Sequence, residues 1–352
     1  MIITLIGARP QFVKAAVVSK AFIEKGIPET IVHSGQHYDE RMSQIFWEEL
    51  GIPQPRYNLN IGSGSHAVQT AGMMTGLESI INNLNETPKA VLLYGDTNTT
   101  VAGSLVASKL HIPVIHIEAG LRSFNRTMPE EINRVVTDHL SDLLFCPSES
   151  AVRQLATEGI VSNVHNVGDV MYDSFLTFST LAKKINPVIS GIDIGAAFTL
   201  LTLHRPSNTD SKEQLSKILT SLGALPTRII WPVHPRNRGH IRELTLPPNV
   251  TITEPFSYFQ MLLVLEKCHS VITDSGGLQK EAYWAKKPCI TLREETEWTE
   301  TLEGGWNQLA PPADSNLLNA YKTHPGLPWK PLYGDGKASD KIAGIIAGRY
   351  YR

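Results

Sequence analysis

The sequence predicts an α/β fold made of two successive domains. The chain has 352 residues, more than the size at which one hydrophobic core usually keeps growing. Short apolar runs rich in branched residues alternate with helix-like segments, which is typical of parallel sheets covered by helices. Residues 186–191 interrupt this alternation with Pro, Ser and Gly, as a linker does. We therefore expect two α/β domains that face each other across a cleft.

The first predicted domain spans residues 1–168. An apolar run at residues 2–6, a tight turn at 7–10 and an amphipathic helix together form a strand-turn-helix unit. The same alternation continues to the end of the domain. Further strands are expected at residues 30–33, near 57–61, and at 90–93, 113–117, 142–146 and 164–167.

The second predicted domain spans residues 169–336 and repeats the pattern after a helix at 170–184. Strands are expected at 198–203, 228–233, 250–253, 270–273 and 289–292, with helices at 212–222, 258–266 and 278–285. The last segment, residues 337–352, is predicted to be a helix that packs back on the first domain.

Composition argues against several classes of function. A net charge of -2 with dispersed Lys and Arg lacks the basic surface of a nucleic-acid-binding protein. Cys146, Cys268 and Cys289 lie in or beside apolar runs without metal-ligand spacing, so we expect reduced core residues and no metal. Met1 leads directly into a strand, and no apolar run reaches membrane-spanning length. These features predict a cytoplasmic protein without a membrane partner.

Three acids mark a candidate active site. Asp96 follows the apolar run at 90–93, Glu118 follows the run at 113–117, and Glu131 lies at the next helix start. Because open α/β sheets bind ligands at the carboxyl ends of their strands, we expect these acids to converge. Three close carboxylates cannot all stay ionised cheaply, so at least one is expected to have a raised pKa.

Two earlier stretches are candidate ligand-binding turns. Arg9 and Lys14 place positive charge near the start of the first helix, where backbone amides favour an anion such as phosphate. An ordinary strand-to-helix turn with a surface arginine explains the same residues, and without GxGxxG a dinucleotide is not indicated. The Gly/Ser-rich loop at 62–66 either binds a ligand or is a flexible connection.

A second anchor is the turn of Ser275, Gly276 and Gly277, between a predicted strand and a helix. Paired glycines let the backbone approach a phosphate that has no metal ion. Glu281 is placed to accept hydrogen bonds from the two hydroxyls of a ribose. A glycine pair selected for packing is the alternative. Basic residues expected at neighbouring strand ends favour a bound nucleotide diphosphate: His204, Arg205, His234 and Arg236.

Eight segments occur in this order and are distributed over residues 3–285: GARPQFVKAA, GQH, GDTNTT, HIEAGLRS, MPEEINR, TLHRPSN, PVHPR and TDSGGLQKEA. Together they resemble the non-hydrolysing UDP-N-acetylglucosamine 2-epimerase family. The resemblance implies two Rossmann-like domains of the GT-B type, a homodimer, and no NAD, metal or other cofactor. It also implies inversion of carbon 2 of a UDP-sugar by anti elimination of UDP and re-addition.

The resemblance also implies roles for matching residues. The counterparts of the family's catalytic acids are Asp96, Glu118 and Glu131. The counterparts of its phosphate and active-site cations, and of the histidine near the diphosphate, are Arg9, Lys14 and His204. The nucleotide-binding loop and the ribose contact match Ser275, Gly276, Gly277 and Glu281. Many bacterial members bind a second substrate molecule as activator, and the matching motif contains Gln36 and His37.

Two segments depart from the commonest family pattern. The runs GARPQF and LREETEWTET resemble the branch that acts on UDP-2,3-diacetamido-2,3-dideoxyglucuronate in surface-polysaccharide synthesis. UDP-N-acetylglucosamine and this uronate are therefore both candidate substrates. The carboxylate of the uronate would need a cation or amide donors, for which the candidates are Arg122, Arg293 and the loop at 62–66.

Three other functions are compatible with parts of this pattern. A glycosyltransferase shares the predicted architecture, so architecture alone does not exclude it. A hydrolysing epimerase would release UDP together with the free sugar. A catalytically silent UDP-sugar sensor would not need the three acids, whose presence favours an enzyme.

Overall fold

The computed structural model describes residues 1–35, 50–233, 237–241, 243–311, 317–323 and 325–351, with the backbone alone at 9, 238 and 240. The chain divides into two compact units. Unit 1 consists of Met1–Ser174 and Tyr333–Arg352, and unit 2 of Phe175–Leu332.

Unit 1 is built on a parallel sheet with strand order β3-β2-β1-β4-β5-β6-β7. Its central strands β1 and β4 are buried along their whole length, as is typical of a parallel sheet with helices on both faces. The strands are β1 (Ile2–Ile6), β2 (Glu29–His33), β3 (Tyr57–Asn58), β4 (Ala90–Tyr94), β5 (Val114–Ile117), β6 (Leu143–Cys146) and β7 (Val164–Asn166).

Helices connect these strands, and several begin where a side chain caps the first turn. Ser65, Thr97 and Ser148 each accept a hydrogen bond from an amide three residues later, which supplies a partner for an otherwise unpaired donor. The helices in the described part of this stretch are α1 (Arg9–Glu24), α2 (His66–Asn82), α3 (Asn98–Lys109), α4 (Pro129–Leu140), α5 (Glu149–Thr157) and α6 (Val170–Ile185). The division between the units falls within α6.

Unit 2 contains a second parallel sheet, with strand order β10-β9-β8-β11-β12-β13. Its strands are β8 (Thr199–Thr202), β9 (Ile229–Pro232), β10 (Val250–Thr253), β11 (Ser270–Thr273), β12 (Cys289–Thr291) and β13 (Asn307–Leu309). Its described helices are α7 (Pro206–Thr209), α8 (Lys212–Gly223), α9 (Arg238–Ile241), α10 (Tyr258–Lys267), α11 (Gly276–Trp284) and α12 (Leu317–Lys322), with a 3₁₀ segment at Thr299–Gly305.

The last helix, α13 (Ala338–Tyr350), belongs to unit 1 and packs against α1. Its apolar face is fully buried at Ile342, Ala343 and Ile346. The buried carboxylate of Asp173 caps its first turn by accepting hydrogen bonds from the Ala338 and Ser339 amides and the Ser339 hydroxyl.

The two parallel sheets with helical connections confirm the predicted α/β class with two Rossmann-like domains. Strand β13 was not predicted, because its three-residue run Asn-Gln-Leu shows no apolar periodicity; it extends the sheet by pairing with β12. The cysteines are free thiols in the core, as expected. Burial raises the pKa of the Cys268 and Cys289 thiols to about 12.

Candidate functional site

Two of the predicted acids lie at the carboxyl ends of adjacent strands. Glu118 directly follows β5, and Asp96 follows β4 after one glycine. The strands are paired up to this edge, where the Gly95 amide donates to the Ile117 carbonyl at 3.0 Å. The parallel register therefore brings both acids to the same edge of the unit 1 sheet.

Lys14 and Glu118 form an ion pair through Nζ and Oε2, and both side chains are largely buried. Lys14 comes from the second turn of α1. Gly95 makes room for the pair: a Cβ at this position would lie 3.2 Å from Glu118 Oε2 and 3.5 Å from Lys14 Nζ. Its φ of +63° also favours glycine. The structure thus joins two residues that are 104 positions apart in sequence.

Arg134 bridges the other two acids. Its Nη2 lies 2.5 Å from Asp96 Oδ2, and its Nη1 donates to Glu131 Oε2 at 2.9 Å. The preceding residue, Asn133, donates from Nδ2 to the Asp96 carbonyl at 2.9 Å. Arg134 is a site residue missing from the sequence-based predictions, and its i+3 spacing from Glu131 on a helix is the signal that could have identified it.

Glu131 does not have the raised pKa expected for one of the crowded acids. Burial raises the pKa of this carboxyl, but hydrogen bonds from the Ser123 and Phe124 amides, the Arg134 guanidinium and the Ser123 hydroxyl outweigh burial and lower it. The donor distances lie between 2.8 and 3.0 Å. Four donors stabilise the ionised form of Glu131. The expectation that at least one of the three acids has a raised pKa stays a prediction.

A buried network supports the loops that carry Asp96 and Glu118. His116 Nδ1 lies 2.7 Å from Asp138 Oδ1, and Nε2 lies 2.8 Å from the Gly95 carbonyl. Asp138 Oδ2 accepts from the Gly120 amide at 3.1 Å and from Arg122 Nη1 at 2.7 Å. Both ring nitrogens of His116 face hydrogen-bonding oxygens. Burial raises the pKa of Asp138, but His116 and Arg122 lower it below its ordinary value.

Arg122, a predicted substrate contact, is part of this network. Its Nε and Nη2 both donate to Glu158 at 2.8 Å, and Nη1 donates to Asp138 and to the Leu121 carbonyl. The guanidinium is almost fully buried. The structure therefore assigns Arg122 a supporting contact with two carboxylates, and its predicted contact with substrate stays a prediction.

Glu118 has an uncommon backbone conformation, with φ at +74°. A non-glycine residue in the left-handed region costs about 1 to 3 kcal/mol and persists only where its surroundings hold it. Here the Glu118 and Ala119 amides both donate to the Phe145 carbonyl, at 3.0 and 3.1 Å. Such strain clusters at functional positions, which agrees with the predicted role of Glu118.

The first predicted phosphate turn is organised by Gln11. The Gln11 Oε1 accepts hydrogen bonds from the Gly7 and Ala8 amides, and its Nε2 donates to the Tyr94 carbonyl. These two amides are therefore already bonded within the protein. Arg9 is the first residue of α1, and its side chain lies outside the described atoms. Its predicted phosphate contact therefore stays a prediction.

The Gly/Ser-rich loop at 62–66 ends in a helix start. Ser65 caps α2 by accepting from the Val68 amide, and the His66 ring contacts Asn98. A ligand-binding role for this loop stays a prediction. The two residues predicted for a regulatory site, Gln36 and His37, lie outside the described residues.

In unit 2, the predicted nucleotide turn lies at the start of α11, directly after β11. The Ser275 Oγ accepts from the Leu278 amide at 3.3 Å and caps the helix, which begins at Gly276 rather than at the predicted residue 278. Gly277 is exposed and Glu281 is half-buried. The turn has the glycine-rich helix start that favours an anion.

Asp274 organises the neighbouring strand end, a role that sequence reasoning missed. Its carboxylate is fully buried and accepts from the His204 and Arg205 amides and from Asn208 Nδ2 at 3.0 to 3.1 Å. His204 Nδ1 lies 3.0 Å from Asp274 Oδ1, while 44% of the His204 side chain is exposed. Burial raises the pKa of Asp274, but His204, Asn208 and the Arg205 amide outweigh it and lower the pKa. Asp274 thus orients an exposed imidazole beside the turn.

Arg293 lies against the start of α11, paired with Glu297. Arg293 Nη1 is 3.1 Å from Glu297 Oε2, and both side chains are nearly buried. A Cβ on Gly276 would lie 2.5 Å from Glu297 Oε1 and 3.9 Å from Arg293 Nη1. The structure therefore places Arg293 at the predicted nucleotide turn. Two further predicted contacts, His234 and Arg236, lie outside the described residues.

None of the helices in the described part of the chain combines the length and the apolar composition needed to cross a bilayer.

Known proteins match this chain over nearly its whole length. Residues 21–347 match the model of the family described as UDP-N-acetylglucosamine 2-epimerase. A Pseudomonas aeruginosa protein named UDP-2,3-diacetamido-2,3-dideoxy-D-glucuronate 2-epimerase is 47% identical over 356 residues, which cover 98% of this chain and 99% of that protein. A Methanococcus maripaludis protein named UDP-N-acetylglucosamine 2-epimerase homolog is also 47% identical, over 355 residues, with the same two coverages.

A solved structure shows the same fold. The crystal structure of Methanocaldococcus jannaschii UDP-GlcNAc 2-epimerase in complex with UDP-GlcNAc and UDP is 39% identical in sequence and has a TM-score of 0.87. The match covers 99% of this chain and 100% of that one. It confirms the predicted GT-B-type fold class.

Proposed function

Because the chain belongs to the UDP-N-acetylglucosamine 2-epimerase family, we propose that it inverts carbon 2 of a UDP-2-acetamido sugar without hydrolysing it. The reaction removes the proton at carbon 2 and eliminates UDP in the anti sense. UDP then adds back to carbon 1 while a proton is delivered to the opposite face of carbon 2. One observation carries the proposal: unit 1 groups Asp96, Glu118 and Glu131 with the cations Lys14 and Arg134 at one sheet edge.

This group has the components that proton transfer at carbon 2 needs. The proton is weakly acidic, so its removal requires a positioned base. The Asp96 side chain is 30% exposed, against 12% for Glu118 and 4% for Glu131. The accessible Asp96 and the Lys14-paired Glu118 are therefore the proposed proton-transfer groups. The Glu131 carboxylate accepts hydrogen bonds from the Ser123 and Phe124 amides and from Arg134. Its proposed role is to hold Arg134 and the turn at 123–124 in place.

We assign UDP binding to unit 2. The start of α11 offers backbone amides to the diphosphate. Arg293 lies beside this turn, and His204 lies at the neighbouring strand end. Cations and amides around a departing diphosphate stabilise the charge that develops on it. Glu281, half-buried in α11, is the proposed ribose contact. His234 and Arg9 keep their predicted substrate contacts.

UDP-N-acetylglucosamine and the diacetamido-uronate are both candidate substrates. The two relatives at 47% identity carry different names, one for the diacetamido-glucuronate and one for UDP-N-acetylglucosamine. Both arginines considered for the uronate carboxylate already contact carboxylates: Arg122 contacts Asp138 and Glu158, and Arg293 contacts Glu297. The diacetamido-uronate would therefore have to compete with Glu297 for Arg293, whereas UDP-N-acetylglucosamine makes no such demand.

Incubation of the chain with each UDP-sugar in heavy water, followed by proton NMR, tests the proposal. An epimerase exchanges the proton at carbon 2 with solvent and needs no acceptor. We expect deuterium at carbon 2 and the inverted sugar for at least one of the two substrates. Absence of deuterium for both would remove the basis of the proposal, and the relative rates would identify the substrate.

The same reaction mixtures distinguish the rival enzymes. A hydrolysing epimerase would accumulate UDP in step with free sugar, and a glycosyltransferase would release UDP only when an acceptor is added. We propose, from the family alone, that the chain acts as a cytoplasmic homodimer in surface-polysaccharide synthesis. Light scattering coupled to size-exclusion chromatography tests the dimer, and a monomer at assay concentration would contradict it.

A further inference from the structure

Lys280 is a buried lysine in α11, with 2% of its surface exposed. Its Nζ lies 3.5 Å from the centroid of the Trp298 ring and 5.4 Å from that of Trp284. A cation over an indole face is attracted by the ring quadrupole, and exclusion of water strengthens the attraction. Lys280 thus connects α11 to the segment at 293–298, which follows β12.

The preceding residue, Gln279, holds the same segment by hydrogen bonds. Its Oε1 accepts from Thr296 Oγ1 at 2.7 Å and from Asn307 Nδ2 at 2.9 Å. Thr296 Oγ1 in turn accepts from the Trp298 amide at 3.1 Å. Two consecutive residues of α11 therefore hold the segment by two different interactions, both in a buried environment.

The held segment carries the charged pair of Arg293 and Glu297. This pair lies against Gly276, close enough that a Cβ there would be 2.5 Å from Glu297 Oε1. The lateral position of the Arg293 guanidinium at the helix start therefore depends on how firmly residues 296–298 are attached to α11. A shift of about 1 Å in a charged contact is enough to weaken recognition of a ligand.

We propose that Lys280 and Trp298 form a positioning pair that fixes Arg293 and Glu297 at the start of α11 and thereby sets the affinity of unit 2 for UDP. The inference rests on the proposed function, because it takes the turn at 275–277 to bind the diphosphate. Lys280 is a positioning residue that acts through Trp298.

The test begins with Lys280→Met, which removes the charge and keeps the length of the side chain. We expect the Kd for UDP, measured by calorimetry, to rise about tenfold. KM for the sugar should rise in parallel, while kcat changes by less than about twofold, because the acids of unit 1 are untouched. Lys280→Arg keeps a cation over the ring and should keep the Kd closer to the wild-type value than Lys280→Met does.

A double-mutant cycle isolates the interaction. Trp298→Leu should weaken UDP binding as Lys280→Met does. The double variant should bind UDP no more weakly than either single variant, since each removes the same contact. Additive losses would overturn the positioning pair.

Lys286→Met is the matched control. The Lys286 Nζ lies 4.8 Å from the Trp329 ring, so this lysine makes the same kind of contact, but it follows the far end of α11 and is exposed. Its substitution should leave the Kd for UDP unchanged. Hydrogen exchange at residues 293–301 of the ligand-free protein should increase in Lys280→Met and stay at the wild-type rate in Lys286→Met.

The outcomes separate this inference from the proposed function. A wild-type chain that binds no UDP refutes the nucleotide site itself. If the wild type and Lys280→Met bind UDP with the same Kd, the positioning role is overturned. This holds even if hydrogen exchange increases in the variant. A lowered Tm in Lys280→Met with unchanged Kd and KM would show that the contact only stabilises unit 2, and this result also overturns the inference.

Discussion

At the scale of single residues, hydrogen-bond donors determine what each carboxylate contributes. The Glu131 carboxylate accepts from two amides, a hydroxyl and a guanidinium, so it stays ionised and holds its neighbours in place. The Asp96 carboxylate is more accessible and shares only the guanidinium of Arg134 among the contacts that the structure describes. The carboxylates of Asp96 and Glu131 are chemically alike, but the fold gives them different environments.

We predict that Glu131→Gln and Asp96→Asn differ in stability although both reduce turnover strongly. In Glu131→Gln the new side-chain NH₂ group would face donors that need an acceptor, so the free energy of unfolding should fall by about 1 to 3 kcal/mol. Asp96→Asn should change it by less than about 1 kcal/mol, because the site is accessible to water. Urea unfolding and turnover assays on both variants check this. Equal stability losses, or wild-type turnover in both, would contradict the assignment.

Gly276 and Gly277 offer a second contrast between adjacent residues. A Cβ on Gly276 would lie 2.5 Å from Glu297 Oε1, whereas a Cβ on Gly277 would meet its nearest atom, Ser275 Oγ, at 4.0 Å. Gly276→Ala should therefore displace Glu297 and cost about 1 to 3 kcal/mol. Gly277→Ala should change stability by less than about 1 kcal/mol, and in the stabilising direction, because alanine favours the helix. Thermal unfolding of the pair measures the difference, and a reversed order would contradict it.

At the scale of secondary-structure elements, each sheet uses a buried aspartate to hold a neighbouring loop. Asp138 in α4 binds the Gly120 amide after β5, and Asp274 after β11 binds the His204 and Arg205 amides after β8. In both cases the carboxylate also contacts a histidine. The loops that carry candidate site residues are therefore fixed by charge-assisted bonds between elements.

Asp274 makes the stability of unit 2 dependent on pH. Its folded pKa is lowered below the ordinary value of 3.8, so the unfolded chain binds a proton more readily. The stabilisation is fully present above pH 3.8 and is lost as pH falls through the lower folded pKa. We expect the Tm difference between wild type and Asp274→Asn to be largest near neutral pH and to shrink below pH 3.8. A difference that grows on acidification would contradict the direction of the shift.

At the scale of the whole molecule, unit 1 consists of two stretches of chain that are separated in sequence by unit 2. The second stretch contains the helix α13. α13 buries Ile342, Ala343 and Ile346 against unit 1 and is capped by Asp173. Unit 1 therefore packs residues from both ends of the chain into one core.

We predict that Ile346→Ala destabilises unit 1 by about 2 to 5 kcal/mol, because it empties a fully buried position. Val161→Ala, at a position 71% exposed in the same unit, should change stability by less than about 0.5 kcal/mol. Urea unfolding followed by a spectroscopic probe in unit 1 measures both. Similar effects of the two substitutions would show that α13 contributes little to the unit.

Much of this organisation was predictable from the sequence. The apolar runs predicted most strands within one or two residues, because buried parallel strands consist almost entirely of apolar side chains. The position of Asp96 and Glu118 after two such runs predicted their common sheet edge. Edge strand β13 and the short helices α7, α9 and α12 were not predicted, since segments of three to six residues show no clear period.

By itself the sequence determined the α/β class, the candidate acids and the glycine turn, because these depend on local patterns of apolar residues, glycines and charges. Only the tertiary structure decided which charges meet. Lys14 and Glu118 are 104 positions apart, Asp96 and Arg134 38, and His204 and Asp274 70. The protonation of a carboxylate depends on donors brought from distant segments, so a low pKa at Glu131 and the cation-π contact of Lys280 follow from the packing of elements and not from their sequences.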